Sequence, residues 1–244
     1  SRPPPSAVAS ARDGRRRMMG AVVGGLALAA CLVLISVQLR NWRDSLTLFM
    51  RAVRLAPEHA VVQNSLGQAI FEAGRLAECE PHFSKAIRMD PKNADYLSNY
   101  GVLLLRTGRV EEALRMQDRA VELKPGAAIL HNNRGNVLEA LGRKAEARAS
   151  FEEALRLNPA YPEAHFNLGG LLFNLGKPME ALGHFEAAVQ GHPGEPMNWY
   201  NLGVTYAQLG QYGEARSCVE LALAINPQTP GAVAALARIR LLDY

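Results

Sequence analysis

The sequence predicts an all-α protein with three parts: one N-terminal transmembrane helix, an α-solenoid of paired helices, and a C-terminal capping helix. Two observations support this fold class. Residues 18–39 form a run of 22 residues without a charged side chain. Beyond this run, glycines, alanines and prolines return at steps of 34 residues, a period typical of stacked helical hairpins.

The composition is that of a chain that can bury a core. Of 244 residues, 48% are apolar and 20% are charged, ordinary values for a globular protein. Residues 1–17 form a basic linker rich in proline and alanine, with five arginines and one aspartate, so 22 cationic and 22 anionic side chains remain from Arg40 onward. Because this remainder carries no net charge, we do not expect it to bind nucleic acid.

The uncharged segment at residues 18–39 is long enough to cross a bilayer. At 1.5 Å per residue its helix would be about 33 Å long, against about 30 Å of hydrocarbon. Two alternatives remain open, because LAAC at Leu28–Cys31 is similar to a bacterial lipoprotein cleavage box and a secretory signal peptide begins in the same way. The apolar run continues beyond Cys31, which favours a spanning helix.

The arginines around the apolar run predict its orientation. Three consecutive arginines at 15–17 lie directly before it, and the arginines at 40, 43, 51 and 54 that follow it are less clustered. Segments rich in arginine and lysine tend to stay in the cytoplasm. We therefore expect the repeats on the other side, which is the periplasm of a bacterium or the endoplasmic reticulum lumen of a eukaryote.

Five complete units of 34 residues extend from residue 60 to residue 229. In the fourth unit, Pro162–Leu175 is predicted as a first helix that opens on proline and ends before a glycine, and Glu180–Val189 as a second helix. Position 8 of every unit is a glycine. The units are 60–93, 94–127, 128–161, 162–195 and 196–229, and these glycines are Gly67, Gly101, Gly135, Gly169 and Gly203.

Both ends of the repeat array are specialised. In the junction at 40–59, Ser45–Leu55 is predicted as a second helix without its first, with Asp44 as its N-cap and Trp42 at the membrane interface. Residues 230–244 are predicted as a solitary helix that covers the last unit, as terminal caps do in solenoids. The stack would therefore begin almost at the bilayer.

The period and its glycine, alanine and proline positions resemble the tetratricopeptide repeat family. The resemblance implies a right-handed superhelix whose first helices line a concave surface. Position 6 of a unit, Ser65 in the first, is asparagine in the other four. This asparagine row is similar to the ladder of amides with which O-linked N-acetylglucosamine transferase holds substrate chains. Its members are Asn99, Asn133, Asn167 and Asn201.

A row of amides on a concave surface predicts a groove for an extended peptide, since each amide can donate to a carbonyl and accept from an N–H. A second interpretation stays open, in which the amides only brace the inner helices. Neighbouring positions extend the predicted groove. The candidate residues are Asn64, Gln68, Asn99, Asn132, Asn133, Asn136, Asn167, Asn174, Tyr200, Asn201 and Gln208.

The junction is similar to that of transmembrane and tetratricopeptide-repeat-containing proteins and their bacterial multi-pass relatives. In that family a multi-pass half transfers sugar from a lipid-linked donor, and eukaryotic members attach O-mannose. The resemblance implies that this chain, which does not begin with methionine, is a fragment containing the substrate-binding or assembly arm of such an enzyme. The alternative is a free-standing single-span protein or lipoprotein that assembles envelope complexes. The matching residues are Trp42, Asp44, Leu48, Phe49, Ala52 and Pro57.

The sequence contains no recognisable catalytic or metal-binding motif. The six histidines show no HExxH or other metal-ligand spacing, and His131 and His165, which occupy the slot of Trp199, are predicted as packing residues. The three cysteines are far apart and imply neither a disulfide framework nor a zinc site. We therefore expect this segment to have no enzymatic activity, no cofactor and no metal.

Overall fold

The computed structural model describes residues 45–242, and every regular element in this range is helical. A short 3₁₀ turn at Leu76–Glu78 precedes the second helix of the first unit, and the other elements are twelve α-helices. The all-α helical repeat predicted from the sequence is confirmed. The helices are α1 Ser45–Leu55, α2 Ala60–Glu72, α3 Glu80–Met89, α4 Ala94–Arg106, α5 Val110–Leu123, α6 Ala128–Ala140, α7 Lys144–Leu157, α8 Pro162–Asn174, α9 Pro178–Gly191, α10 Pro196–Gln208, α11 Tyr212–Ile225 and α12 Ala232–Leu242.

Among residues 45–242, no helix combines the length and the apolar character that crossing a bilayer requires. The predicted transmembrane segment at 18–39 lies outside the described residues. So do the linker at 1–17 and the junction residues Trp42 and Asp44.

A glycine with positive φ ends the first helix of each unit. The φ values lie between 73° and 80°, in the left-handed region that residues with a Cβ rarely adopt. The chain can therefore leave the first helix and start the second within a few residues. These glycines are Gly74, Gly108, Gly142, Gly176 and Gly210.

The glycine at position 8 allows the two helices of a unit to approach closely. A Cβ on Gly135 would overlap the ring of Phe151. A Cβ on Gly203 would lie 2.7 Å from Cγ2 of Val219 and 2.9 Å from the backbone oxygen of Ala215. Since atoms of real side chains do not approach so closely, only glycine fits at these two positions.

The first helices form one continuous surface, called here the inner face. Each first helix packs against its own second helix and also contacts the first helix of the next unit. The first such pair is α2 with α4, and the last is α10 with α12. Among the described residues, no contact of similar extent joins consecutive second helices. The stack therefore curves toward the first helices, and the inner face is its concave side.

The second helix of the fourth unit is longer than predicted. In the fourth unit α9 runs from Pro178 to Gly191, whereas the sequence predicted residues 180–189. Pro178 lies in the first turn of α9, where a helix needs no backbone N–H donor. Pro193, the proline that follows α9, therefore lies in the loop after this second helix. The helix ends closer to Pro193 than predicted.

The last helix, α12, packs on the fifth unit through Ala232 and Ile239, which are buried against Ala215 and Val219 of α11. Its outer side differs from that of a polar cap. Several of its residues there are apolar and exposed, among them Leu241. The helix thus covers the end of the fifth unit and leaves an apolar surface of its own.

Candidate functional site

Three members of the asparagine row donate a hydrogen bond to the preceding unit. Each bond ends on position 5 of that unit, 35 residues earlier in the chain. Hydrogen bonds between side chains therefore connect consecutive first helices from α2 to α8. Nδ2 of Asn99 lies 3.1 Å from Oδ1 of Asn64, Nδ2 of Asn133 lies 3.0 Å from Oγ of Ser98, and Nδ2 of Asn167 lies 2.9 Å from Oδ1 of Asn132.

The row of hydrogen bonds is interrupted between the fourth and fifth units. Position 5 of the fourth unit is Phe166, whose ring offers no acceptor to the Asn201 amide. The side chain of Asn201 makes no hydrogen bond with any other residue in the 45–242 range. The helices α8 and α10 therefore pack without the bond that connects the earlier pairs.

The bonded amides keep further hydrogen-bonding capacity. An asparagine side chain has two N–H donors and an oxygen with two lone pairs, and the bond to the preceding unit uses one N–H. Asn99, Asn133 and Asn167 are half-buried, so part of each amide stays accessible on the inner face. Bracing of the helices is thus a property of the fold, and the remaining amide atoms are available to a ligand.

A cavity of about 490 Å³ lies on the inner face across the third, fourth and fifth units and is called here the central cavity. Three of the predicted site residues line it, namely Asn132, Asn136 and Asn167. Phe166 and Met197 provide apolar surface beside these amides. The interruption of the hydrogen-bonded row and the apolar wall of the cavity therefore have the same origin, which is the ring at position 5.

The lining of the central cavity is anionic. Glu163 and Glu195 belong to it, and no lysine or arginine of the described residues does. Glu139 lies one turn beyond Asn136 on α6. Burial raises the pKa of Glu139, and the charge of Lys144 offsets part of this shift. The middle of the inner face thus presents carboxylates beside neutral amides.

A second cavity, of about 620 Å³, lies between α10 and α12 and is called here the C-terminal cavity. The predicted site residues Tyr200 and Gln208 line it, together with mostly apolar or small residues and Arg238. Gln68, on α2, and Asn174, the last residue of α8, are exposed and line neither cavity. The predicted site is therefore divided along the inner face.

A hydrogen bond that the sequence did not predict recurs at position 4 of four units. The side chain at this position donates an N–H to the backbone oxygen of the proline six residues earlier. In the sequence, this bond is indicated by a side chain with an N–H donor at the same position of four units, because packing alone does not require a donor there. The bonds join Gln63 to Pro57 (2.7 Å), His131 to Pro125 (2.8 Å), His165 to Pro159 (2.9 Å) and Trp199 to Pro193 (2.8 Å).

In two units a histidine of the second helix extends this hydrogen bond. Nδ1 of His184 lies 3.0 Å from Nδ1 of His165, and Nδ1 of His82 lies 2.8 Å from Oε1 of Gln63. Since Nε2 of His165 donates to the Pro159 oxygen, its Nδ1 accepts and His184 donates. Burial and the neighbouring His165 imidazole lower the pKa of His184. The pair therefore fixes the loop between units when both rings are neutral.

A buried polar network connects the second and third units. Gln117 is fully buried at the position where three other units have phenylalanine. Oγ of Ser98 donates to Oε1 of Gln117 at 2.9 Å, and Nε2 of Gln117 donates to the backbone oxygen of Ser98 at 3.0 Å. The same Oγ accepts the bond from Asn133. The hydroxyl of Ser98 thus links the asparagine row to the core.

We expect Ser98→Ala to lower the free energy of unfolding by about 1–3 kcal/mol, because it leaves a buried acceptor on Gln117 and the donor of Asn133 without a partner. Urea unfolding followed by circular dichroism measures the loss. The control is Ser217→Ala, at an exposed serine that bonds only the backbone of its own helix, with an expected change of about 0.5 kcal/mol or less. Equal losses in both variants would contradict a role for the network.

The described residues contain no candidate metal centre, since no group of three or more His, Cys, Asp or Glu side chains among residues 45–242 could hold an ion. Cys79 and Cys218 are buried free thiols. Burial raises the pKa of both, that of Cys218 to about 11. Because the thiolate is the nucleophilic form, neither cysteine is prepared for covalent chemistry.

Solved structures share the fold of this chain. YrrB, described as a TPR protein with an unusual peptide-binding site, is 27% identical, with a TM-score of 0.54 over 77% of this chain and 96% of its own. A chain of the Cut9–Hcn1 hetero-tetramer of APC/C is 22% identical, with a TM-score of 0.73 over 79% of this chain and 38% of its own. PilF of Pseudomonas aeruginosa is 21% identical, with a TM-score of 0.67 over 86% of this chain and 94% of its own.

Comparison with curated protein sequences gives no significant match. Three family models, each described as tetratricopeptide repeat, match the chain. The first covers residues 32–78 and 132–196, the second 93–160 and the third 175–239. These matches and the repeated helical hairpins agree: the chain belongs to the tetratricopeptide repeat family.

Proposed function

We propose that the inner face binds an extended segment of another polypeptide, so that the protein acts as a scaffold without catalytic activity of its own. The central cavity is the observation that carries this proposal. Its amides can bond to the N–H and C=O groups that an extended peptide presents at every residue. Phe166 and Met197 can contact an apolar side chain of the same peptide.

Asn132 supports peptide binding most directly. Its side chain is only 4% exposed and lines the central cavity, and its Oδ1 accepts the bond from Asn167. Its Nδ2 donates to no other residue in the 45–242 range, and no fully enclosed side-chain polar atom there lacks a partner. The Nδ2 of Asn132 is therefore not fully enclosed, and a peptide carbonyl in the cavity could accept a hydrogen bond from it.

The likeness to YrrB also favours this function, because YrrB is described as having a peptide-binding site. On the present chain the asparagine row would bind the peptide backbone, whose N–H and C=O groups are the same in every sequence, as the sequence predicts. The two interpretations of the row are then combined, since one N–H of each bonded amide braces the helices and its other atoms contact the ligand.

Asn201 and Asn167 separate these two roles. Asn167→Ala removes a bond between units, so we expect it to lower the free energy of unfolding by about 1 kcal/mol, whereas Asn201→Ala should change it by about 0.5 kcal/mol or less. Both variants should weaken the binding of a fluorescein-labelled, unstructured peptide by about threefold or more. Fluorescence anisotropy measures the affinity and urea unfolding measures the stability.

The affinities and stabilities of these two variants test the two roles separately. Unchanged affinity in Asn167→Ala and Asn201→Ala would confine the row to bracing. An equal loss of stability in both variants would contradict the difference in their hydrogen bonds. Gln190→Ala, at an exposed amide of a second helix, is the matched control and should leave both measurements unchanged.

We further propose that residues 18–39 anchor the repeats to a membrane, with the repeats on its extracytoplasmic side. The uncharged length of this segment and the three arginines before it support the proposal. Protein expressed from residue 1 should remain in the membrane pellet after carbonate extraction, and protein that starts at Arg40 should not. Recovery of both proteins in the supernatant would contradict the anchor.

We also propose that the chain is the substrate-binding or assembly arm of a multi-pass protein O-glycosyltransferase, on the strength of its junction residues. Reading the gene upstream of Ser1 tests this proposal, since it requires further membrane helices there, and a start codon directly before Ser1 would contradict it. The second candidate is an assembly factor for envelope complexes, which LAAC at Leu28–Cys31 favours. Labelling of Cys31 with palmitate would support that candidate.

A further inference from the structure

The central cavity combines carboxylates with apolar side chains, and this combination defines its ligand more closely. Glu163, Glu195 and Phe166 of the fourth unit all line the cavity, together with the amides. Glu163 is half exposed, at 50% of its side chain. The carboxylates are therefore hydrated and within reach of a ligand.

These carboxylates differ from several glutamates of the second helices, which are paired with arginine. On the second helices, Glu112 and Glu146 each form two short hydrogen bonds with an arginine three residues earlier. In the central cavity, Glu163 has one weak contact, with Nδ1 of His192 at 3.7 Å. The carboxylate of Glu195 forms no hydrogen bond or ion pair with any other residue among 45–242. The cavity thus keeps negative charge that the protein does not neutralise.

The Asn132 amide supplies an independent indication of a ligand. It is nine-tenths buried and lines the cavity, and its Nδ2 donates no hydrogen bond in the described part of the chain. Its N–H groups can bond to an oxygen, such as a backbone carbonyl. An extended peptide that satisfies them projects residues i and i+2 to the same side, about 7 Å apart. Two side chains of one peptide can therefore enter the cavity together.

We propose that the central cavity selects an extended peptide in which a lysine or arginine lies two residues from an apolar side chain. The apolar side chain contacts Phe166 and Met197. The cation pairs with Glu163 and Glu195, and the amide of Asn132 binds the peptide backbone. This inference rests on the peptide binding proposed above and adds the chemistry of the peptide.

Three labelled peptides test the selection. They share the sequence Gly-Ser-Xaa-Ser-Leu-Ser-Xaa-Ser-Gly, in which Xaa is Lys, Gln or Glu, so that a cation lies on the correct side whichever direction the peptide takes. At about 50 mM salt, where exposed charges are weakly screened, we expect the Lys peptide to bind about three- to tenfold more tightly than the Gln peptide, and the Glu peptide to bind most weakly. Fluorescence anisotropy measures all three affinities.

Neutralising the cavity should remove this preference. In the double variant Glu163→Gln/Glu195→Gln the Lys and Gln peptides should bind equally, with the affinity of the Gln peptide unchanged. The control Glu111→Gln/Glu214→Gln removes the same charge from exposed positions of two second helices and should keep the preference. Circular dichroism and urea unfolding verify that both variants fold.

Every other result of these binding measurements contradicts one part of the proposal. Equal binding of the Lys and Gln peptides to the unaltered protein overturns the selection and leaves peptide binding intact. Survival of the preference for the Lys peptide in Glu163→Gln/Glu195→Gln, or its equal loss in the control, would show that the preference comes from the overall charge of the protein and not from the central cavity. Failure of all three peptides to bind overturns the proposed function together with this inference.

Discussion

Replacing Phe151 with alanine should lower the free energy of unfolding by about 3–5 kcal/mol. The ring is fully buried, lies directly over Gly135, and packs in the cluster of apolar side chains that joins the third and fourth units. Gly135 has no side chain that could move into the space left by the ring. The substitution therefore creates a cavity between α6 and α7, and urea unfolding followed by circular dichroism measures its cost.

The loss should also be localised, because each unit of a solenoid contacts mainly its neighbours. Hydrogen exchange should increase in the third and fourth units of Phe151→Ala and stay nearly unchanged in the first. Met179→Ala is the control, since this side chain is 70% exposed at the start of α9, and it should change stability by about 0.5 kcal/mol or less. A cost below about 1 kcal/mol for Phe151→Ala would contradict a tightly packed core.

Gly203→Ala should lower the free energy of unfolding by about 1–3 kcal/mol, although alanine favours helices more than glycine. The added Cβ would meet Val219 and, at 2.9 Å, the backbone oxygen of Ala215. Backbone cannot rotate away as a side chain can, so α10 and α11 must separate. Chemical unfolding of the variant measures the cost, and the separation should also alter the near-ultraviolet circular dichroism of the neighbouring tyrosines.

The same substitution should have the opposite sign at Gly183. This glycine is exposed within α9, and a Cβ there would meet no atom within 4 Å. Gly183→Ala should therefore raise the free energy of unfolding by up to about 1 kcal/mol through the better helix propensity of alanine. Stabilisation by both substitutions would show that position 8 tolerates a Cβ and that the helices of a unit are less closely packed than described.

Much of the fold could be predicted because the repeat encodes it in residues with special backbone properties. The glycines at the ends of first helices have positive φ, and the 34-residue offset placed α1 before the first complete unit, with its end at Leu55. The ends of second helices were less predictable. Nothing in the residues around Pro178 and Gly191 distinguishes a helical turn from a loop until the next unit packs against it.

The location of the candidate residues on the inner face was predictable, and their contacts were less so. Asn132, Asn136 and Asn167 were placed on the concave face from their repeat positions, and they meet in the central cavity. The bond from position 6 to position 5 of the preceding unit depends on the rotation between units, which periodicity does not specify. The cavity also depends on Phe166, whose apolar ring fits helix packing and ligand binding alike.

The hydrogen bond that is missing between α8 and α10 has a mechanical consequence. The first three joints of the solenoid carry a polar cross-link between first helices on their concave side, whereas the hydrogen bonds of the fourth joint, from Tyr206 to Glu186 and from Asn198 to the backbone oxygen of Ala188, reach the second helix α9. Under tension along the superhelical axis, the concave side of that fourth joint would therefore lengthen more readily than the concave sides of the first three. The central cavity spans this joint. A bound peptide would therefore stabilise the joint against stretching, and stretching would weaken the binding of that peptide.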